Sequence, residues 1–201
     1  WRLENRLFLN DLNDLGSWPV AAVDIFHLPD HSYDILEKPR FVKYFDLLKQ
    51  EYVTACVLLF EGIFDDTTHL ADETLLTYEH SDFSVTSVQI EKQKAAFRLS
   101  YSLLDKCAAF LNDYFKLGHA EKYTYFRNIW HPKAHKRNQD KSAINQNIPT
   151  SNWRLRGLFS ISRDLFDNDL HNITSLLAGR VNDIRNATEH RFLSIYDTEK
   201  P

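Results

Sequence analysis

The chain has 201 residues, with 24 Lys and Arg against 28 Asp and Glu, so its formal net charge is −4. It contains only five Gly and six Pro, about half the usual share, which disfavours collagen-like, Pro-rich and multi-turn all-β architectures. Its hydrophobic content of 43% exceeds that of disordered chains. The longest apolar stretch, near residues 53–60, is far too short to cross a bilayer. These values predict a mostly helical globular domain.

The spacing of the apolar residues predicts the elements in chain order. Residues 1–39 are predicted to form an irregular N-terminal cap, because Asn, Asp, Gly and Pro clusters interrupt its short apolar runs. Helical spacing then predicts helices over residues 40–65, 70–78, 90–117, 153–167 and 173–195. Gly118 is the expected C-terminal glycine of the second long helix. The pattern predicts an all-α fold in which residues 40–201 form an antiparallel helical bundle.

The two cysteines and the N-terminal residues indicate a compartment. Cys56 and Cys107 each lie in an apolar helical stretch and are predicted to be reduced core thiols. The first residues lack the pattern of a signal peptide. Both features predict a cytoplasmic protein without a membrane partner. The absence of Met indicates that Trp1 begins a piece of a longer chain.

A long middle loop, residues 119–149, holds an unusual share of the positive charge. Between residues 116 and 141, seven Lys and Arg stand against two acidic residues, a difference of +5. Aromatic residues are interleaved with this charge, a combination that suits the phosphates and bases of a single-stranded nucleic acid. The residues predicted to bind RNA are Arg127, Lys133, Lys136 and Arg137. The alternative is a solvated loop whose aromatics, including Trp130, anchor it to the bundle.

The last predicted helix carries the sharpest candidate site, Arg185 and Asn186 followed four residues later by His190. Asn186 and His190 are i, i+4 neighbours, so their side chains can converge on one ligand. A helical wheel places Arg185 at the rim, between this polar face and a core stripe of Leu177, Val181, Ile184, Thr188 and Ile195. The alternative is a surface ion pair between Arg185 and Glu189, with a solvated His190.

The second long helix carries a polar stripe within its apolar pattern. Its members, at i, i+4 and i+7, are Arg98, Ser102 and Asp105. Together with Glu189 they are predicted to hold the residues of the candidate site in position. The alternative is an internal network between Arg98 and Asp105 that fixes helix packing.

One further pair of residues has the spacing of metal ligands. His131 and His135 are four residues apart, but Pro132 interrupts any helix there, and no carboxylate or Cys completes the set. The sequence therefore predicts neither a metal site nor a cofactor.

The pattern Arg-Asn-x-x-x-His on the last long helix of a helical bundle resembles the signature of the HEPN superfamily. The resemblance to one bacterial branch extends over nearly the whole chain, through residues 7–10, 13–15, 96–98, 101–106, 110–112, 126–127, 130 and 184–192. It implies a metal-independent endoribonuclease, used as a toxin or in antiviral defence. It also implies that Arg185, Asn186 and His190 carry the site, and that two subunits face each other across one cleft.

The residue types fit this chemistry. Cleavage of RNA without a metal uses the neighbouring 2′-hydroxyl as nucleophile, His190 to move the proton and Arg185 to bind charge on phosphorus. One His cannot serve as general base and general acid at once. A homodimer would supply two His side chains, one for each role. An antitoxin or an inhibitory domain is the expected regulator. The alternatives are a catalytically silent HEPN module that dimerises or binds nucleotide or a partner, and a purely structural helical domain.

Overall fold

A computed structural model describes residues 1–30, 38–75, 86–132, 144–166, 176–190, 193 and 195. Within these ranges every regular element is helical, which confirms the all-α fold. The α-helices are α1 (Arg40–Phe64), α2 (Leu70–Thr74), α3 (Val88–Tyr114), α4 (Trp153–Phe166) and α5 (Leu176–His190). Over the same described ranges, no helix has the length and apolar character needed to cross a membrane.

The predicted helices are all present. α1 begins at the predicted residue and ends one residue early, while the predicted continuation of α2 to residue 78 lies outside the described residues. The predicted end of α3 near Gly118 is wrong, because the helix ends at Tyr114. Lys116 takes the left-handed conformation at φ 52°, and the Leu117 N–H donates to the Asn112 carbonyl at 3.0 Å. The chain thus leaves the helix through a left-handed cap two residues before the glycine.

Helices α1 and α3 form the central packed pair of the bundle. Gly62 of α1 lies so close to α3 that a Cβ there would come within 2.8 Å of the Gln89 carbonyl oxygen. The Gln93 amide donates to the Gly62 carbonyl at 2.5 Å. Toward the other end, the Phe41 ring meets Tyr114 edge-on with centroids 5.4 Å apart. The two helices are therefore in contact along most of their length.

The N-terminal cap lies against α1. Tyr52 donates its hydroxyl to the Leu7 carbonyl at 2.9 Å, and Lys49 donates to the Phe26 carbonyl at 2.7 Å. Between the cap, α1 and α3 lies an open apolar pocket of about 190 Å³, lined by Leu9, Phe26, Phe45, Leu48, Lys49, Tyr52, Leu103 and Cys107. Burial raises the pKa of Tyr52 to about 12 and that of Cys107 to about 11, so the phenol and the thiol stay protonated at neutral pH.

Residues 121–132, here named the anchor segment, contribute to the main core although they form no α-helix. Phe126 and Ile129 are 0% exposed and Trp130 is 1% exposed. The backbone of Phe126 is held on both sides, since its N–H donates to Asp105 at 2.9 Å and its carbonyl accepts from Ser162 at 3.1 Å. This confirms the anchoring interpretation for Phe126 and Trp130.

Candidate functional site

Helix α5 contacts both α3 and α4, and it meets α3 through Arg185. The guanidinium carbon of Arg185 lies 5.5 Å from the ring centroid of Tyr101, over the ring. Along α5, the half-buried positions Val181, Arg185 and Thr188 recur at i, i+4 and i+7 and mark the inward face. The candidate arginine therefore belongs to the packed side of its helix.

This orientation corrects the helical wheel drawn from the sequence. Ile184 is 37% exposed, so its assignment to the core stripe is wrong. Arg185 is half-buried and lies between the inward face and the exposed Asn186 and Glu189, as the wheel placed it. The physical reason lies on α3, which offers α5 the face of an aromatic ring, and a cation packs well on such a face. The inward face of α5 therefore keeps the predicted Val181 and Thr188 and takes Arg185 in place of Ile184.

The guanidinium of Arg185 also has two partners on its own helix. Its Nη2 lies 3.1 Å from a Glu189 carboxylate oxygen, and its Nη1 donates to the Asn186 side-chain oxygen at 3.2 Å. Its Nε is buried and has no hydrogen-bond partner among the described residues. The ion pair with Glu189 considered as an alternative is thus present. Because both side chains are about one third exposed, it stabilises the helix by only about 0.3–0.5 kcal/mol.

The electrostatics of Tyr101 reflect this neighbourhood. Burial raises the pKa of Tyr101, the positive charge of Arg185 opposes that rise, and the carboxylates of Asp105 and Glu189 add to it. The net rise keeps the phenol neutral at physiological pH. The ring that faces Arg185 therefore carries no charge of its own.

Asn186 and His190 complete the motif. Asn186 is exposed on the outward side of α5, next to the guanidinium that it accepts from. His190 is the last residue of α5, so Arg185, Asn186 and His190 share one continuous helix. The side chain of His190 lies outside the described part of the structure, and its opening toward a cleft stays a prediction.

The predicted supporting residues on α3 have separate partners. Asp105 accepts the hydrogen bond from the Phe126 N–H, and Ser102 donates to the Leu99 carbonyl of its own helix at 2.9 Å. Arg98 is half-buried one turn before Ser102. Asp105 thereby holds the anchor segment while its charge acts on Tyr101. The role of this stripe, and of Glu189, in supporting catalysis stays a prediction.

The predicted RNA-binding residues are placed only in part. Arg127 is exposed, directly after the buried Phe126, and Tyr125 beside it is 48% exposed. Lys133, Lys136 and Arg137 lie outside the described residues. The described residues on either side of that segment are joined, because the Asn145 N–H donates to the Trp130 carbonyl at 2.8 Å.

The described residues include no group of three or more His, Cys, Asp and Glu that could hold a metal ion. His131 is half-buried, and its ring lies 6.3 Å from that of Phe159, whereas His135 lies outside the described residues.

Tyr101 is the site residue that sequence reasoning missed. Its position in the apolar stripe of α3 made it look like a core residue. The available signal was its chemistry: a Tyr stands there among Phe, Leu and Ala, on the same helix as Ser102 and Asp105.

These observations define a class of protein, an all-α bundle whose final helix carries Arg-Asn-x-x-x-His with the arginine packed on the preceding long helix. The family model described as LA2681-like HEPN matches residues 32–201. Because that match covers most of the chain, the chain belongs to the LA2681-like HEPN family, which confirms the resemblance found in the sequence. No curated protein and no solved structure matches it.

Proposed function

We propose that this HEPN module is a metal-independent endoribonuclease that acts in the cytoplasm as a toxin or an antiviral effector. The observation that carries the proposal is the placement of Arg185. Its guanidinium is fixed against Tyr101 and linked to Asn186, on the helix that ends at His190. A half-buried cation beside an amide, on a helix that also carries a histidine, suits a phosphodiester, whose transition state gains charge on oxygen.

The proposed reaction uses only these residue types. The 2′-hydroxyl of RNA attacks the adjacent phosphorus as one His190 removes its proton. The P–O5′ bond breaks as a second imidazole protonates the leaving oxygen, which leaves a 2′,3′-cyclic phosphate and a 5′-hydroxyl. Arg185 binds the charge on the non-bridging oxygens, and Asn186 orients the phosphate or the hydroxyl. Proton transfer of this kind contributes about 10²–10⁴-fold to the rate.

A homodimer would supply the second imidazole. In a C2 dimer both copies present the same patch, so two α5 helices that approach a two-fold axis would place two His190 residues on one cleft. Mixing His190→Ala chains with wild type should then lower activity more steeply than dilution alone. Activity in simple proportion to wild-type content would contradict the shared site.

The decisive experiment is digestion of end-labelled RNA by the purified chain in excess EDTA. We expect cleavage that leaves a cyclic phosphate, and a loss of at least about 10²-fold in His190→Ala and in Arg185→Ala. His27→Ala, an exposed histidine of the cap, serves as the matched control and should cleave like wild type. Activity that EDTA abolishes and a divalent ion restores would refute the mechanism. The absence of cleavage by wild type would refute the function.

RNA binding is expected to involve Arg127 and the basic segment after it. Arg127→Glu should weaken RNA binding and lower the slope of log K against log salt by about 0.7, the value for one phosphate contact on a single strand. The triple reversal of Lys133, Lys136 and Arg137 should lower it further. Lys43→Glu, on the exposed side of α1, changes the net charge equally and should leave binding unchanged.

A second candidate function is a catalytically silent HEPN module that dimerises or binds a nucleotide or a partner. One contact favours it, since the Glu189 carboxylate occupies the same guanidinium that a phosphate would need. Expression in bacteria separates the two. Growth arrest that His190→Ala relieves supports the nuclease and a need for an antitoxin or inhibitory domain, whereas growth unaffected by the wild-type chain supports the silent module.

A further inference from the structure

We propose that Tyr101 is a positioning residue for Arg185, which it holds in place when a phosphodiester displaces Glu189. This inference rests on the proposed function. It concerns α3, a helix that the HEPN motif itself does not include.

The argument starts from the two groups that hold the guanidinium. Glu189 contacts it through Nη2, whereas its central carbon lies over the face of the Tyr101 ring. A guanidinium binds phosphate through the N–H groups of its edge, in the plane of the ion. A phosphate at Nη2 therefore competes with the Glu189 carboxylate and not with the uncharged ring of Tyr101.

The ring is well suited to remain in place. Tyr101 is half-buried on the long helix α3, and its ring lies 6.4 Å from that of Phe97 one turn away. The uncharged ring attracts the cation through its face, so no anion competes with the substrate there. An Arg side chain free of such a contact would lose conformational entropy on each binding event. Tyr101 reduces that cost, because it orders the Arg185 side chain before RNA binds.

Because the ring and not the hydroxyl does this work, two substitutions should differ. Tyr101→Phe keeps the aromatic face, and Tyr101→Leu removes it at similar apolar size. Tyr114→Leu is the matched control, because Tyr114 is also half-buried on α3 but packs on Phe41 of α1. All three variants lose or alter a half-buried ring on the same helix.

The first measurement does not depend on activity. In a ¹H–¹⁵N NMR spectrum of arginine side chains, the Nε–Hε signal of Arg185, assigned by its loss in Arg185→Lys, should carry a ring-current shift. We expect Tyr101→Leu to move it toward the free-arginine position, and Tyr101→Phe and Tyr114→Leu to leave it. An Arg185 signal unmoved by Tyr101→Leu would overturn the inference.

The second measurement is kinetic. We expect Tyr101→Leu to lower kcat/KM for RNA about tenfold, mainly through kcat, and Tyr101→Phe to stay within about twofold of wild type. An equal loss in Tyr101→Phe would assign the effect to the hydroxyl, and an equal loss in Tyr114→Leu would assign it to packing; either result overturns the inference. If the wild-type chain cleaves no RNA, the proposed function fails, and the NMR result alone decides whether Tyr101 positions Arg185.

Discussion

The anchor segment and helix α5 bury their side chains in opposite ways. The anchor segment has only one 3₁₀ turn, Glu121–Tyr123, yet Phe126, Ile129 and Trp130 are at most 1% exposed. Helix α5 is regular over Leu176–His190, yet Ile184 is 37% exposed and the contact with Tyr101 is made by an arginine. In this protein, side chains are thus buried where they contact α3 and α4, whether or not their own backbone is helical.

The difference has a physical basis in hydrogen bonding. An irregular segment can enter a core only when its backbone polar groups find partners. Here Asp105 and Ser162 bind the two sides of Phe126, and the Tyr125 carbonyl accepts from the Asn128 and Ile129 N–H groups at 2.9 and 3.0 Å. The anchor segment can therefore carry stability, while α5 contacts α3 through a residue that is also proposed for chemistry.

The largest expected effect comes from breaking the anchor segment. Trp130→Ala should lower the free energy of unfolding by about 3–5 kcal/mol, because it empties a fully buried site between Phe126 and Phe159. Urea denaturation measures this. Trp153→Ala is the matched control, since that ring is 69% exposed, and it should change stability by less than about 0.5 kcal/mol. Similar losses in both variants would contradict the contrast.

An intermediate loss of stability is expected at the packed pair α1 and α3, because α3 contacts both the anchor segment and α5. Gly62→Ala should destabilise the protein by about 1–3 kcal/mol, because the new Cβ would overlap the Gln89 carbonyl oxygen and separate α1 from α3. Gly157→Ala is the opposite control, because nothing lies within 4 Å of a Cβ there and the position is helical. It should stabilise α4 by about 0.5–1 kcal/mol, measured by the same denaturation. Stabilisation by both alanines would show that α1 and α3 can separate at little cost.

The smallest expected effect is at α5 itself. Glu189→Gln should reduce stability by only about 0.3–0.5 kcal/mol, because the ion pair that it removes is partly solvated. The same change should tighten binding of a non-cleavable 2′-deoxy oligonucleotide, since the carboxylate no longer competes for Arg185. Fluorescence anisotropy checks this. Weaker binding would show that Glu189 supports the site and does not oppose the ligand.

The sequence predicted the long helices well, and missed the end of α3 and the exposure of Ile184 on α5. The start of α1 follows from local periodicity, which a single chain displays fully. The end of α3 depends on Asn112, whose carbonyl accepts from Leu117 and whose side chain bonds both the N–H and the carbonyl of His119 at 3.0 Å. Hydrogen bonds from one Asn side chain leave no periodic pattern in the sequence, so the end of α3 could not be predicted from spacing.

The candidate site shows the same limit. The motif and its sharing of one helix were predictable from spacing, and the buried Trp130 was one of two interpretations of the loop. The contact of Arg185 with Tyr101 was not predictable, because hydropathy ranks Ile184 as the core residue and contains no information about a ring on another helix. Contacts between distant parts of the chain decided both outcomes.

The hydrogen bonds from Tyr52 to Leu7 and from Lys49 to Phe26 limit how far this protein can be truncated at its N-terminus. The family match starts at residue 32, but the cap before it covers an apolar strip of α1 and lines the open pocket beside Cys107. We therefore expect the unit that folds to begin before the residue at which the family match begins. A chain begun at residue 32 would present that strip to water, and we expect it to associate or precipitate where the longer chain does not.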